Sequence, residues 1–367
     1  MNYYIIAGEA SGDLHASNLM KELKVLDTEA HFRFWGGDLM KQQGGELVKH
    51  YRELSFMGFT EVLMNLKTIL NNIDFCKKDV LTYKPDVLIL VDYPGFNLRI
   101  AEFAKQNGIK AFYYISPQVW AWKQSRVHQI KRIVDRMFVI LPFEKEFYKR
   151  FDYDVDFVGH PLLDAIVNYQ EVLLPLSIET DKPIIALLPG SRKQEIKTML
   201  PLMLSAASQF KEYCFVVAGA PSQNKEFYQQ IISNLDVKIV FNETYPLLQK
   251  SHAALVTSGT ATLETALFGV PEVVCYKGGF ISYTIAKQLV KVKYVSLVNL
   301  IMDKEIVKEL IQDDLTEKNL KDELEKILQP ETRRLMMNNY LELKTKLGGY
   351  GASKKAAGLM MDYLKRK

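Results

Sequence analysis

Cysteine is scarce: Cys76, Cys214 and Cys275 are the three in 367 residues. They stand far apart, without CxxC spacing and mostly in apolar surroundings, so neither a disulfide framework nor a zinc site is implied and a reducing compartment fits. No apolar run approaches the roughly 20 residues of a membrane span, and the N-terminus enters a strand-like run without a signal-peptide pattern. The expectation is a protein made and kept inside the cell. Charge of one sign is also lacking, since 47 Lys and Arg against 43 Asp and Glu leave a net +4. That mild bias favours anionic ligands or an anionic membrane surface, but it lacks the basic clustering of a nucleic-acid binder. With 48% hydrophobic and 25% charged residues the chain is ordinary globular material, not disordered, and its length predicts about two domains.

The run from Tyr3 to Leu14 reads as a buried strand, an abrupt turn at Gly8 and the start of a helix. The turn lacks what a phosphate cradle has, a glycine-rich and acid-free loop, and carries Glu9 and Asp13 instead. Two carboxylates at the carboxyl end of a strand suit hydroxyl groups or a proton to be removed. Helix capping by Ser11 or Asp13 explains the same residues, and from the loop alone that reading stands ahead. Further strands are expected at His31–Trp35, Pro85–Asp92, Ile109–Ile115, Arg136–Leu141 and Val155–Val158. The run from Pro85 delivers Asp92 to the same edge, followed by Tyr93, Pro94, Gly95, Phe96 and Asn97. Between these lies a helical stripe of Val62, Leu63, Leu66, Ile69 and Leu70, which suits a core face and, beside Phe56, Phe59 and several lysines, an interfacial helix.

A second half restarts at Pro183. Strand, glycine turn and helix start recur over Pro183–Arg192, and strands follow at Tyr213–Ala218, Val237–Phe241, Ala253–Thr257 and Glu272–Tyr276. The fold class is therefore α/β, two Rossmann-like domains whose crevices face each other with a ligand cleft between them. The divisions are 1–165, a connection at 166–182, 183–345, and a final helix over 346–367. Its stripe of Ala356, Leu359, Met360, Tyr363 and Leu364 needs cover from the first domain or from a partner chain in a homodimer. Gly190, Ser191 and Arg192 put small residues and a guanidinium at a helix start, a combination suited to a diphosphate, although a surface ion pair is the plainer use of such an arginine. Ser258, Gly259 and Thr260 add donors, and Glu264 lies one turn on, within reach of a sugar diol. Together they suggest a nucleotide-sugar site.

Several motifs resemble the lipid-A-disaccharide synthase family: Gly8–Asp13, Asp92–Asn97, Tyr114–Trp122, Leu141–Glu144, Val158–Pro161, Leu188–Arg192, Ser258–Glu264 and Tyr294–Leu300. The likeness runs in order from about residue 3 to about residue 310. It implies a GT-B glycosyltransferase that joins UDP-2,3-diacylglucosamine to 2,3-diacylglucosamine 1-phosphate (lipid X), releasing UDP. Inversion at the donor sugar calls for a base, and the resemblance assigns Asp92, with Glu9, Asp13 and His15 as rivals or positioners. It places Ser11, His15 and Asn97 on the acceptor side. Gly190, Ser191, Arg192, Ser258, Gly259, Thr260, Glu264 and Asn299 hold UDP, Arg192 steadying the departing diphosphate, with no metal and no cofactor. Lipid substrates turn the 62–70 stripe towards docking on a membrane, peripherally on the cytoplasmic face of the inner membrane. A UDP-sugar 2-epimerase and a non-catalytic nucleotide-sugar or lipid-binding protein are the alternatives of other classes.

Overall fold

The computed structural model describes residues 1–54, 66–170, 175–207, 209–278 and 293–366. The first half runs β1 (Asn2–Ala7), α1 (Ala10–Leu26), β2 (His31–Gly36), α2 (Asp38–Gln42), β3 (Glu46–His50), α3 (Leu66–Tyr83), β4 (Val87–Val91), α4 (Pro94–Gln106), β5 (Ala111–Tyr114), α5 (Val119–Trp122), α6 (Arg126–Ile133), β6 (Arg136–Val139), α7 (Pro142–Lys149), β7 (Asp156–Phe157) and α8 (Pro161–Gln170). The second runs β8 (Ile184–Leu188), α9 (Lys193–Ala207), β9 (Cys214–Gly219), α10 (Lys225–Ile232), β10 (Val237–Phe241), α11 (Thr244–Lys250), β11 (Ser251–Thr257), α12 (Thr260–Leu267), β12 (Glu272–Tyr276), α13 (Leu297–Met302), β13 (Lys308–Ile311), α14 (Glu317–Leu328), α15 (Pro330–Lys346) and α16 (Ala352–Lys365). The chain divides into two compact units, 1–165 with 347–367, and 166–346.

The first unit holds a seven-stranded parallel sheet in the order β3-β2-β1-β4-β5-β6-β7. Its central strands are apolar along their length because helices cover both faces, and Tyr3 to Ala7 and Val87 to Val91 are fully buried. The second unit holds a six-stranded parallel sheet in the order β10-β9-β8-β11-β12-β13. Ile184, Ala186, Leu188, Ala254 and Val256 form the middle of its core.

α16 packs on α1 within the first unit, burying Ala352, Ala356, Ala357, Met360 and Met361. The buried face is turned from the expected stripe, because the two alanines allow close approach and leave Leu359, Tyr363 and Leu364 half-buried. Asp164 fixes this helix end: its carboxylate accepts from the N–H groups of Gly351 (2.7 Å), Ala352 (3.3 Å) and Ser353 (2.9 Å). The Val158–Pro161 motif is the seat of the returning chain, where His160 N–H donates to Leu347 O at 3.1 Å and Gly159, at φ 94°, lies against it.

The connection and two edge strands depart from the sequence reading. The connection expected from 166 begins inside α8, whose Leu162, Leu163, Ala165 and Ile166 are buried. The edge strands β3 and β13 went unread because Glu46–His50 and Lys308–Ile311 mix charged and apolar residues, as edges do. Val62 and Leu63 lie outside the described residues, as does the side chain of Leu66. The stripe continues down α3 as Ile69, Ile73, Cys76 and Val80, of which the last three are buried in the core, while Leu70 is exposed.

Candidate functional site

Strand order reverses between β1 and β4 in one sheet and between β8 and β11 in the other, and open parallel sheets bind ligands beyond the carboxyl ends at such reversals. The loops that the sequence singles out leave these four strands. After β4, Asp92 and Tyr93 both take left-handed backbone, φ 46° and 49°. Side-chain residues in that region cost about 1–3 kcal/mol each, so the neighbours must hold them. They do: Asp92 O accepts from Asn97 Nδ2 at 2.7 Å and from the Tyr113 hydroxyl at 2.5 Å, while Asp92 N–H donates to Tyr114 O at 3.1 Å. Gly8 completes the turn, since a Cβ there would come within 2.3 Å of the Tyr93 ring.

This corner presents a half-buried Asp92 carboxyl beside half-buried Glu9. Burial and the Glu9 carboxylate push Asp92 up to about 6, against the opposing hydrogen bond from Tyr93 N–H. A carboxyl raised in this way is suited to taking a proton near neutral pH. Ser11 is exposed in the first turn of α1.

Three of the expected residues are buried, and two of them, Asp13 and Asn97, hold backbone. Asp13 is buried and spends its carboxylate on the N–H groups of Gly37 (2.8 Å), Leu39 (3.1 Å) and Met40 (3.1 Å). It therefore caps α2, not its own helix, and the N-cap of α1 is Glu9. Asn97 is fully buried, and its Nδ2 bonds to Ile6 O and Val91 O besides Asp92 O, tying β1 to β4. His15 is buried, and burial pulls it down to about 4, with Asp164 opposing. It is therefore neutral at physiological pH. Its neighbour His160 is brought to about 3 in the same way.

At the second reversal, Gly190 takes φ 106° and Arg192 is exposed at the entrance to α9. Glu195 accepts from Arg192 N–H and from its guanidinium, both at 3.3 Å, so a carboxylate already stands as an anion at this helix start. Across from it, Gly259 begins α12 with no side-chain cap, and Thr260 is exposed in its first turn. Glu264 is half-buried and accepts from the Tyr245 hydroxyl at 3.0 Å, and burial raises its pKa.

Asn299 is a correction. It is fully buried, its Nδ2 donating to Val307 O (2.8 Å) and Glu309 Oε1 (2.9 Å), its Oδ1 accepting from Ile306 N–H (2.8 Å) and Val307 N–H (3.1 Å). Glu309 also accepts from Val295 and Ser296, and the Ser258 hydroxyl donates to Val295 O at 3.3 Å. Asn299 thus shapes the loop beneath Ser258 and does not offer its amide to a ligand.

Sequence reading missed Tyr113, Tyr245 and Glu309, which look like ordinary strand, helix and edge residues until folding brings them to the loops they fix. It also left Ser116 and Glu144 without a use. Glu144 is buried, accepts from the Ser116 hydroxyl at 2.5 Å and from Leu141 N–H at 2.9 Å, and is pushed by burial up to about 7. Among the described residues no cluster of His, Cys, Asp and Glu is arranged to hold a metal, and no helix is long and apolar enough to cross a membrane.

Two parallel sheets flanked by helices, each with its own reversal, define a two-Rossmann-domain protein of the GT-B class. Solved structures with this fold include the UDP-GlcNAc 2-epimerase from Neisseria meningitidis bound to UDP-GlcNAc, with a TM-score of 0.71 at 15% identity over 99% of this chain and 100% of that one. A calicheamicin glycosyltransferase gives 0.62 at 15% identity, over 100% and 98%. At such identity the likeness is one of fold, and it does not separate epimerase from transferase. Sequence does: the family model described as Lipid-A-disaccharide synthetase matches residues 3–360. The lipid-A-disaccharide synthase of Syntrophus aciditrophicus is 40% identical over 373 residues, 99% of this chain and 97% of that protein. That of Psychromonas ingrahamii is 40% identical over 374 residues, 99% and 98%. The chain belongs to the lipid-A-disaccharide synthase family and is a hexosyltransferase.

Proposed function

We propose that the first sheet's reversal takes the acceptor, 2,3-diacylglucosamine 1-phosphate, and the second takes UDP-2,3-diacylglucosamine, the products being the β-linked disaccharide 1-phosphate and UDP. The observation that carries this reading is the division of chemistry between the reversals. One offers Asp92 and Glu9, a proton-accepting pair; the other offers Arg192 and two helix starts, an anion-holding set. Asp92 removes the proton from the acceptor 6-hydroxyl as that oxygen attacks the donor's anomeric carbon from the face opposite UDP. The electron pair of the breaking bond leaves with the diphosphate, whose charge Arg192 and the N–H groups at Gly190–Arg192 and Ser258–Thr260 stabilise. Glu264, oriented by Tyr245, accepts from the ribose hydroxyls. Glu9 raises the basicity of Asp92, while Asp13, His15 and Asn97 hold the acceptor edge in shape.

Acylated substrates require the enzyme to work at a membrane surface, peripherally and on the cytoplasmic face. The exposed Leu70 and Phe75 of α3, near exposed Lys67 and Lys78, support docking there. The test supplies both lipid substrates in mixed micelles and follows UDP release with the wild type and Asp92→Asn. Disaccharide formation by the wild type, with turnover down at least about a thousandfold in a variant that still binds UDP, is expected for a lost base in a single displacement. Turnover of simple UDP-sugars without disaccharide would reject the transferase reading; an active variant would reject the base.

A further inference from the structure

The loop after β5 carries chemistry that the transfer step leaves unused. β5 lies beside β4, so this loop leaves the sheet one strand from Asp92. Its base is fixed. Ile115, at φ 66°, donates its N–H to Phe138 O at 3.0 Å, Ser116 donates to buried Glu144, and buried Trp120 meets Phe143 edge-on with ring centroids 5.0 Å apart. Its tip is exposed: Trp122 keeps 48% of its surface in solvent, Lys123 is exposed beside it, and the Arg126 guanidinium lies over the Trp122 ring at 5.1 Å. Among the described residues neither Lys123 nor Arg126 forms an ion pair with a carboxylate.

We infer that Arg126 and Lys123, with Trp122 as the platform, hold the 1-phosphate of the acceptor sugar and make the enzyme selective for a phosphorylated acceptor. A guanidinium kept planar on an aromatic face presents its N–H fork to a phosphate, and the ammonium beside it adds a second positive charge. The indole gives the sugar an apolar face. The phosphate hangs from a different ring carbon than the reacting hydroxymethyl group, so its holder stands beside the base and not at it. One strand spacing, about 4.8 Å, separates the two loop origins. The locked base explains why an exposed tryptophan can be a defined surface and not a loose one.

The inference rests on assigning the first sheet's edge to the acceptor, and its test separates the two. Steady-state kinetics compare 2,3-diacylglucosamine 1-phosphate with its dephosphorylated analogue, in neutral mixed micelles, for wild type, Arg126→Gln, Arg126→Lys and Lys123→Gln. The wild type should prefer the phosphorylated acceptor by about tenfold or more in kcat/KM, and Arg126→Gln should bring that ratio down towards one through KM. Arg126→Lys should recover part of it, and Lys123→Gln should show a smaller loss. Equal losses with both acceptors would overturn the inference. So would a variant whose only defect is weaker binding to phosphatidylglycerol vesicles, since that makes the patch a lipid-headgroup contact. A rise in donor KM with acceptor KM unmoved would instead overturn the assignment of the edge. A thermal melt of Arg126→Gln matching the wild type guards against a folding defect.

Discussion

At the residue scale the chemistry turns on how neighbours set one carboxyl. Asp92 sits near 6 because its carboxyl is largely withdrawn from water and because Glu9 repels its charge, so the proposed base is half-ionised about two units above an ordinary aspartate. The acid limb of kcat/KM should therefore bend near pH 6. Glu9→Gln removes the repulsion, so the bend should move to lower pH; a profile unmoved by that change would rule out the pairing. A second carboxyl shows the same physics without a catalytic use. Glu272 is fully buried, neither oxygen has a hydrogen-bond partner among the described residues, and burial raises its pKa well above the ordinary value. The folded state thus keeps a proton that the unfolded chain releases above about pH 4.5. Its contribution to stability is full below that pH and is lost as pH rises towards the raised folded value. Urea midpoints of the wild type should fall between pH 5 and 8, and Glu272→Gln should flatten that fall. None of this was legible in sequence: Glu272 opens an apolar run and looks like the polar start of a strand.

At the element scale, single side chains position whole loops. Asn299 carries the bonds that hold the start of β13 and the loop beneath Ser258, so Asn299→Ala should cost roughly 3 kcal/mol in urea unfolding by leaving buried N–H groups unpaired. Weaker UDP binding should accompany the loss of stability; weaker binding with unchanged stability would make Asn299 a direct contact after all. The sequence placed the central strands within a residue or two because buried parallel strands are continuous apolar runs. It missed β3 and β13, where one side of the strand meets no neighbour and charged residues are tolerated. The acidic turn at Glu9 to Asp13 stood out as a candidate site through the family motif, with capping ahead from the loop alone, and the division of labour within it was not legible. Asp13 bonds to a helix 24 to 27 residues away, a partner that spacing along one helix never indicates.

At the scale of the whole molecule, the second unit is continuous in sequence, whereas the first is closed by residues 347–367 returning to α1. Ending the chain after Lys346 removes α16 and its buried Ala356, Ala357, Met360 and Met361. The shortened chain should bind a hydrophobic dye and lose cooperative unfolding of the first unit, while UDP titration still reports the second; loss of both together would mean the units do not fold separately. The sequence by itself determined the two Rossmann-like halves and the turns that end their strands, because apolar runs and turns are local patterns, while the reaction class came from the motifs shared with the lipid-A-disaccharide synthase family. Only the tertiary structure decided which polar residues stay accessible at the strand ends and which hold the backbone. That choice depends on hydrogen-bond partners and burial contributed by elements distant in the chain, as Tyr113 and Asn97 do for Asp92 and Glu309 does for Asn299.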